Sequence, residues 1–224
     1  MDDHSIEFDG RVRFCLGHEA KAIDVESLKQ WWTDLIQGQT AIVDAFSTAT
    51  ETFLALGPSP VQRPPLRARN LEILERIMLG ESSKSVAIDC NLSASTVAAA
   101  LKQSLQQLGW QQRASTLPVG LIFLAEGARG SVAPQLRCYA GHLPDGLPCH
   151  VLTAPLPQLG ELLSPAVHEV VHLHMQGKSY LEIAAQRATS TRTVANQVSA
   201  AFRLLRISGR NELRHLVAVS STAL

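Results

Sequence analysis

A repeat with a spacing of 97 residues constrains this chain more than any other feature. Residues 40–116 can be placed over residues 137–213 without a gap. Between residues 66–116 and residues 163–213 this register gives twelve identities in 51 positions, where average residue usage gives roughly three. The chain therefore contains two copies of one unit, which is too few for a solenoid.

The charged residues balance in number but are unevenly distributed. The chain has 20 basic and 20 acidic side chains; residues 1–60 contain ten acidic and four basic ones, and residues 159–224 contain seven basic and four acidic ones. A surplus this small gives no strong sequence-independent attraction to phosphates. Any binding of nucleic acid must therefore come from a local patch or from several linked contacts.

The cysteines and the N-terminus indicate a cytoplasmic protein. Cys15, Cys90, Cys138 and Cys149 form no CxxC pair, which favours reduced thiols over a disulfide or zinc framework. The start, MDDHSIEFDG, is acidic where a signal peptide is basic, and the apolar stretches are shorter than a membrane span. We expect a soluble protein of the cytoplasm and nucleoid, with no membrane contact, cofactor or metal.

Short hairpins precede the helical part of each copy. Residues 6–16 alternate around Asp9-Gly10, a tight-turn signal, and a helix is predicted at residues 25–37, with Gly38 as its stop. Pro144-Asp145-Gly146 is a turn signal in the second copy. Strands are predicted at residues 41–46, 52–56, 136–142 and 149–153, and linkers at residues 57–65 and 153–157.

Three helices are predicted in the second copy from their capping residues. Ser164-Pro165 begins the first helix and Gly177 ends it. Ser179 and Glu182 have the spacing of a capping box, which begins the second helix directly after that turn. Ser190 caps the third helix.

The two faces of the third helix differ in character. The predicted core face contains Val194, Val198, Ala201, Phe202 and Leu205. The opposite face contains Thr191, Arg192, Ala195, Asn196, Ser199 and Arg203. Small, polar and basic side chains on an exposed helix face are what a DNA major groove admits.

Both copies resemble a known family. Residues 163–213 resemble the C-terminal DNA-binding domain of LuxR/NarL-type bacterial transcription regulators, and residues 71–109 resemble it less closely. The pieces that carry the resemblance are Leu163-Ser164-Pro165, Glu169-Val170-Val171, Gly177, Glu182-Ile183-Ala184, Thr193-Val194, Asn196, Leu205, Gly209-Arg210 and Glu212-Leu213. The resemblance implies a four-helix domain whose third helix, here residues 190–205, lies in the major groove.

The resemblance also implies which residues contact DNA. Base contacts are expected near Ala195, Asn196 and Ser199, and phosphate contacts near Lys178, Arg192, Thr193 and Arg203, with Thr191 and Arg206 completing the set. Auxiliary contacts in the first copy are Ser95, Thr96, Ala99 and Lys102. Ala195 stands where the family commonly has lysine and Gln197 where it often has histidine. Asn196 then remains the one early side chain that pairs with adenine through two hydrogen bonds, a discrimination of about 1–3 kcal/mol.

Other interpretations of single motifs are weaker. His168, Glu169 and His172 fit the zinc-protease pattern HExxH, but the nearby candidates for a third ligand, Glu182 and His174, are badly situated. Cys149 and His150 are adjacent on a strand and point to opposite faces, which disfavours a nucleophile and base pair. A solvated face is an alternative to a DNA contact for three arginines, Arg203, Arg206 and Arg210. At least one of Trp31 and Trp32 is expected in the core rather than in a ligand pocket.

The sequence thus predicts a mainly α fold with β-hairpins (α+β), a tandem duplication of a β-hairpin plus a four-helix LuxR-type helix-turn-helix unit. Its regions are an N-terminal part at residues 1–62, a degenerate first helix-turn-helix at 63–128, a hairpin connector at 129–158 and a C-terminal helix-turn-helix at 159–224. We expect the protein to be a transcription regulator and not an enzyme. It is expected to bind double-stranded DNA as a homodimer or an intramolecular pseudo-dimer, with RNA polymerase or another regulator as a further partner. The alternative is a protein-interaction module, derived from a regulator, that binds another transcription factor and little or no DNA.

Overall fold

The computed structural model describes residues 4–8, 10–17, 21–48, 50–110, 117–130, 136–156, 163–176 and 178–220. Within these ranges the structure is mixed α/β, with nine helices and seven strands. The strands are β1 (His4–Phe8), β2 (Arg11–Leu16), β3 (Lys21–Ala22), β4 (Thr40–Ser47), β5 (Glu51–Pro58), β6 (Arg137–His142) and β7 (Pro148–Pro155). The helices are α1 (Val25–Ile36), α2 (Ala68–Met78), α3 (Ser83–Asp89), α4 (Ala94–Gln107), α5 (Val119–Ala128), α6 (Pro165–Met175), α7 (Tyr180–Gln186), α8 (Thr191–Leu204) and α9 (Arg210–Ser220).

The predicted hairpins join in one antiparallel sheet. Its strand order is β1-β2-β6-β7-β5-β4, and β3 pairs with β6 off this path. The hairpins form a single sheet because β5 and β7 are buried on both faces, at residues 52–57 and 151–154. A strand that is apolar on both faces needs neighbours on both edges and cover on both sides. The hairpin β4–β5 and the hairpin β6–β7 therefore pair with each other through β5 and β7, an arrangement that was not predicted from the sequence.

The central strand pair has a symmetric register. In the β5–β7 pair, Leu54 faces Leu152 and Ala55 faces Val151. Adding 97 to Leu54 gives Val151, and adding 97 to Ala55 gives Leu152, so the pairing is unchanged when the two copies are exchanged. This is the register of an isologous contact about a twofold axis.

The helices that follow the sheet also correspond at the spacing of the repeat. We call α2, α3 and α4 the first helical unit and α6, α7 and α8 the second helical unit. Every bound of α6, α7 and α8 is the matching bound of α2, α3 and α4 plus 97. Two backbone positions with positive φ also match, because Asn91 (φ 53°) corresponds to Ala188 (φ 48°) and Gly109 (φ 89°) to Arg206 (φ 55°).

The main core surrounds α5. All ten residues of α5 are buried, and its sequence VGLIFLAEGA is apolar on nearly every side, as expected of a central helix. α5 packs against α1, α9 and β5. Gly120 permits the close approach to β5, because a Cβ atom at this position would lie 2.8 Å from the Cβ of Leu54.

The last helix packs against the first half of the molecule. Leu213, Val217 and Ala218 of α9 belong to the main core, where α9 contacts α2 and α5. A separate small core holds the second helical unit together, built from residues of α6, α7 and α8. The predicted four-helix C-terminal domain thus has three helices around a small core of their own, while Val171, Ala201 and the fourth helix contribute to the main core.

Most predicted element positions agree with the structure. The helix predicted at residues 25–37 is α1, whose N-cap Asp24 accepts a hydrogen bond from the Ser27 backbone N–H at 2.6 Å. The predicted stop, Gly38, has φ +75°. Trp31 and Trp32 are half-buried and pack against the main core.

The two predicted linkers begin too early. β5 continues through Pro58, which pairs with Thr40 of β4, and β7 continues through Pro155, which pairs with Glu51 of β5. Asp9, Pro157 and Gly177, to which the sequence analysis assigned turn and linker roles, lie outside the described residues. Within the described ranges, no helix is long and apolar enough to cross a membrane.

Candidate nucleic-acid interface

The buried face of α8 fixes the orientation of this helix. Val194 and Val198 are buried and share a core with residues of α6 and α7. Ala201 is also buried, while Phe202 and Leu205 are half-buried against the main core. The predicted core face is therefore confirmed, and it follows that the opposite side of α8 faces outward.

Capping interactions fix the helices around the turn that precedes α8. The Ser179 side chain accepts from the Glu182 backbone N–H at 3.3 Å, and the Glu182 carboxylate accepts from the Ser179 backbone N–H at 2.7 Å, which confirms the predicted capping box. Ser190 caps α8 through a 3.0 Å bond from the Thr193 backbone N–H, also as predicted. Ser164 is the N-cap residue of α6, but its side chain makes no capping hydrogen bond.

Most predicted DNA-contacting residues of the second unit are accessible on or beside α8. Ala195 and Lys178 are half-buried, and the other predicted contacts are exposed. These exposed residues are Thr191, Arg192, Thr193, Asn196, Ser199, Arg203 and Arg206. In the described part of the chain, the side chains of Arg192, Asn196 and Arg203 have no hydrogen-bond or ion-pair partner, so their polar groups are available to a ligand.

Two other basic residues beside this face are engaged within the protein. Lys178 Nζ donates to Gln186 Oε1 at 2.5 Å. Arg187 Nε donates to Glu169 at 2.9 Å, and its Nη1 donates to Gln197 Oε1 at 2.8 Å. Arg187 thus fixes the position of the Gln197 side chain through this hydrogen bond. The role of Arg187 was not predicted, because its contacts join the end of α7 to Glu169 of α6 and Gln197 of α8, and no pattern in neighbouring residues indicates such contacts.

The first unit presents a similar face with less charge. Ser95, Thr96, Ala99 and Lys102 are all exposed on α4. The Ser95 and Thr96 hydroxyls lie 2.7 Å and 2.8 Å from Ser93 Oγ, the N-cap of α4. Lys102 is then the single cation among the predicted auxiliary contacts, which limits how strongly this face attracts phosphate.

The HExxH residues have other neighbours. The Glu169 carboxylate binds Arg187, and His172 Nε2 lies 3.0 Å from Gln176 Nε2. Burial lowers the pKa of His172, and the nearby charges of His168 and Lys178 lower it further. Among the residues described, no group of three His, Cys, Asp or Glu side chains is arranged to hold a metal ion.

Arg210 is not part of a solvated face. Arg210 is half-buried, and its Nε lies 3.1 Å from His174 Nε2 while its Nη2 lies 2.8 Å from His174 Nδ1. A neutral imidazole ring accepts a hydrogen bond through one of these two nitrogens. His174 is 4% exposed. Burial, and then the charges of Arg210 and Arg214, lower the pKa of His174 to about 3. Arg210 therefore belongs to the docking of α9, whereas Arg203 and Arg206 remain exposed.

Comparison with known proteins finds a match to a family model. Residues 64–117 match the family model described as "Bacterial regulatory proteins, luxR family". No curated protein and no solved structure matches the chain. The match lies on the first helical unit, which the sequence analysis regarded as the less similar copy, and not on the second. Residues 64–117 are thus similar to the helix-turn-helix domain of that family, and this similarity supports a DNA-binding transcription regulator of the luxR type.

Proposed function

We propose that the chain regulates transcription by binding double-stranded DNA with α8 in the major groove and with α4 as an auxiliary contact. The observation that carries this proposal is the exposed side of α8, where Arg192, Asn196 and Arg203 are free of partners among the described residues. A helix that is anchored on one side and polar and basic on the other matches the geometry of a recognition helix. The luxR-family match at residues 64–117 supports the same class of function.

The second helical unit is, in this proposal, a second domain of the same type. Its helices have the bounds of α2, α3 and α4 plus 97. The turn before α8 has positive φ at Ala188, as the turn before α4 has at Asn91. Helices of equal length at equal spacing along the chain, with matching backbone conformations at Asn91 and Ala188, support a common origin of the two units by duplication.

We further propose that the two units form an intramolecular pseudo-dimer. The β5–β7 register is unchanged on exchange of the copies. α5 and α9 pack against each other, and residues 119–123 of α5 correspond to residues 216–220 of α9 in the repeat. Covalent linkage of two weak binding units raises the effective concentration of the second, which offsets the small charge surplus of this chain.

The proposed roles of the site residues follow from their chemistry. Arg192 and Arg203 pair with phosphates on either side of the groove, and Thr193 and Lys178 assist at the helix ends. Asn196 reads adenine through two hydrogen bonds, with Ala195 and Ser199 beside it. None of these roles is enzymatic, and we propose that the chain has no catalytic activity of its own.

Selection of bound fragments from a pool of random duplex DNA tests the proposal. We expect enrichment of a motif with two half-sites, because the chain carries two units. A motif with one half-site would support binding by α8 alone and would contradict the pseudo-dimer. Recovery of no motif would contradict sequence-specific binding by either unit.

A protein-interaction module is the second candidate. The net charge of zero and the single lysine on the exposed side of α4 favour this alternative. Salt dependence distinguishes the two functions: engagement of phosphates by ~4 basic groups gives a log-log slope of binding against salt near −4. An interaction module would bind no duplex appreciably at any salt concentration and would instead bind another regulator or RNA polymerase.

A further inference from the structure

A cavity lies between the sheet and the second helical unit. Its volume is about 270 Å³, just below the ~300–1,000 Å³ common for small-molecule sites. Four segments contribute to its wall: β2, the β4–β5 hairpin, the residues on either side of 111–116, and the end of α6 with Lys178. The cavity therefore adjoins both the sheet and the start of the second helix-turn-helix.

One buried donor in the wall has no acceptor. Trp110 is 6% exposed, and its indole Nε1 is buried without a hydrogen-bond partner in the part of the chain that the structure describes. A buried donor that lacks an acceptor is unfavourable. An acceptor atom supplied by a ligand in the cavity would satisfy it.

The charges in the wall favour an anion. Arg13 binds the Asp44 carboxylate through Nε and Nη2, so its charge is balanced within the protein. Lys178 also lines the cavity, and it donates to the neutral amide of Gln186. Among the described residues of the wall, Lys178 is therefore the cation whose charge is not balanced by a carboxylate. Phe46, Phe53 and Met175 supply apolar surface beside it.

The wall also connects the sheet to the second helical unit. Gln176, the residue after α6, donates from Nε2 to the backbone carbonyl of Ser47 at the end of β4, at 3.3 Å. Met175, Gln176 and Lys178 all line the cavity and directly precede the capping box that begins α7. A ligand here would contact the elements that fix the position of the second unit relative to the sheet.

We propose that this cavity binds a small organic acid with an apolar body. The carboxylate accepts from Trp110 Nε1 and pairs with Lys178, and the body packs against Phe46, Phe53 and Met175. We propose also that occupation of the cavity changes the affinity for DNA, which rests on the proposed function. The ligand would then be the signal to which the regulator responds.

Binding is tested on the full chain without DNA. The chain has three tryptophans, so a ¹H–¹⁵N spectrum contains three indole signals, and Trp110→Phe identifies that of Trp110. The probes are phenylacetate and hexanoate, each with its neutral amide as a matched control. We expect the acids to shift the Trp110 signal and the amides to require at least about tenfold higher concentration. No shift with either acid, or equal effects of acid and amide, would overturn the site.

Variants separate a binding site from a merely structural tryptophan. Lys178→Gln should weaken phenylacetate binding about tenfold, whereas Lys84→Gln, an exposed lysine on α3, should leave it unchanged. Trp110→Phe should lower the stabilisation that phenylacetate confers, measured as the rise in Tm of each protein on adding the acid, because phenylalanine has no donor for the carboxylate. Equal stabilisation of wild type and Trp110→Phe by the acid would contradict the assigned role of Nε1.

A second arm measures regulation. The duplex recovered by selection is titrated with the chain, with and without phenylacetate at a concentration that saturates the Trp110 shift. We expect at least a fivefold change in Kd for DNA, the lower end of typical allosteric coupling. An unchanged Kd with the cavity filled would overturn the regulatory part and leave the site intact. Absence of any DNA binding would refute the proposed function instead, and the spectra without DNA would still decide the site.

Discussion

Asn91 and Ala188 have the same left-handed backbone conformation 97 residues apart, with φ angles of 53° and 48°. Each residue lies in the turn between the second and third helices of its unit. Asparagine tolerates this conformation better than alanine, whose Cβ approaches the following carbonyl oxygen. The two units therefore have the same turn, but the second has the less suitable residue.

Replacing Ala188 by asparagine should stabilise the second helical unit. We expect the free energy of unfolding to rise by less than about 1 kcal/mol, because alanine bears a left-handed cost of about 1–2 kcal/mol and asparagine bears only part of it. Denaturant unfolding of wild type and Ala188→Asn measures the difference. The reciprocal variant Asn91→Ala should lose a similar amount, and a loss of stability in Ala188→Asn would show that the turn favours alanine for another reason.

Removing the charge of Arg192 should weaken DNA binding without changing sequence preference. A phosphate contact is the same for every sequence, so Arg192→Ala should lower the affinities for selected and random duplexes by similar factors and reduce the salt slope by about 1. Fluorescence anisotropy across a salt series measures both effects. Arg137→Ala, an exposed arginine on β6, is the matched control and should behave as wild type. An unaltered slope in Arg192→Ala would contradict the phosphate contact.

Asn196 should instead affect specificity. Asn196→Ala removes both groups that pair with adenine, so it should cost about 1–3 kcal/mol on the selected duplex and relax preference at a single base pair. Competition by duplexes altered one position at a time measures this change. If Asn196→Ala loses the same affinity on selected and random DNA, Asn196 does not read a base.

Acid should loosen the docking of α9 through His174. The folded pKa of His174 is lowered to about 3 by burial and by the charges of Arg210 and Arg214. As pH falls, the unfolded chain takes up a proton first, so the stability contributed by the neutral ring is complete above the unfolded pKa of about 6.5 and is lost progressively below it. Between about pH 7 and about pH 5 we expect a loss of about 2 kcal/mol.

Unfolding free energies measured over this pH range test the role of His174. His174→Gln should remove this part of the pH dependence. His150→Gln, an exposed position on β7, should retain it. The same pH dependence in His174→Gln and wild type would assign the loss of stability to other groups.

Local signals predicted much of each helical unit. Capping residues such as Ser179 and Ser190 accept hydrogen bonds from backbone N–H groups three residues away, so the start of each helix can be predicted from a short stretch of sequence. The apolar spacing of Val194 and Val198 fixes one side of α8 as buried and thereby leaves Asn196 outward. These are contacts within one turn of helix or one hairpin.

Contacts between distant segments could not be predicted in the same way. The pairing of Leu54 with Leu152 joins strands nearly a hundred residues apart, and the residues of each strand do not indicate with which other strand it pairs. The docking of α9 against the first half of the molecule and the bond from Gln176 to Ser47 have the same character. The cavity around Trp110 is built from four segments, so no single stretch of sequence indicates it.

The most direct test of the account is the affinity of the intact chain for a duplex recovered by selection, compared with a scrambled duplex of equal length and composition. For wild type we expect tighter binding to the selected duplex and a salt slope of about −4. For Arg192→Ala combined with Asn196→Ala we expect loss of that preference, while the fold measured by denaturation is unchanged. Equal binding of wild type to both duplexes, or a double variant that retains the preference, would contradict the claim that the exposed side of α8 reads DNA.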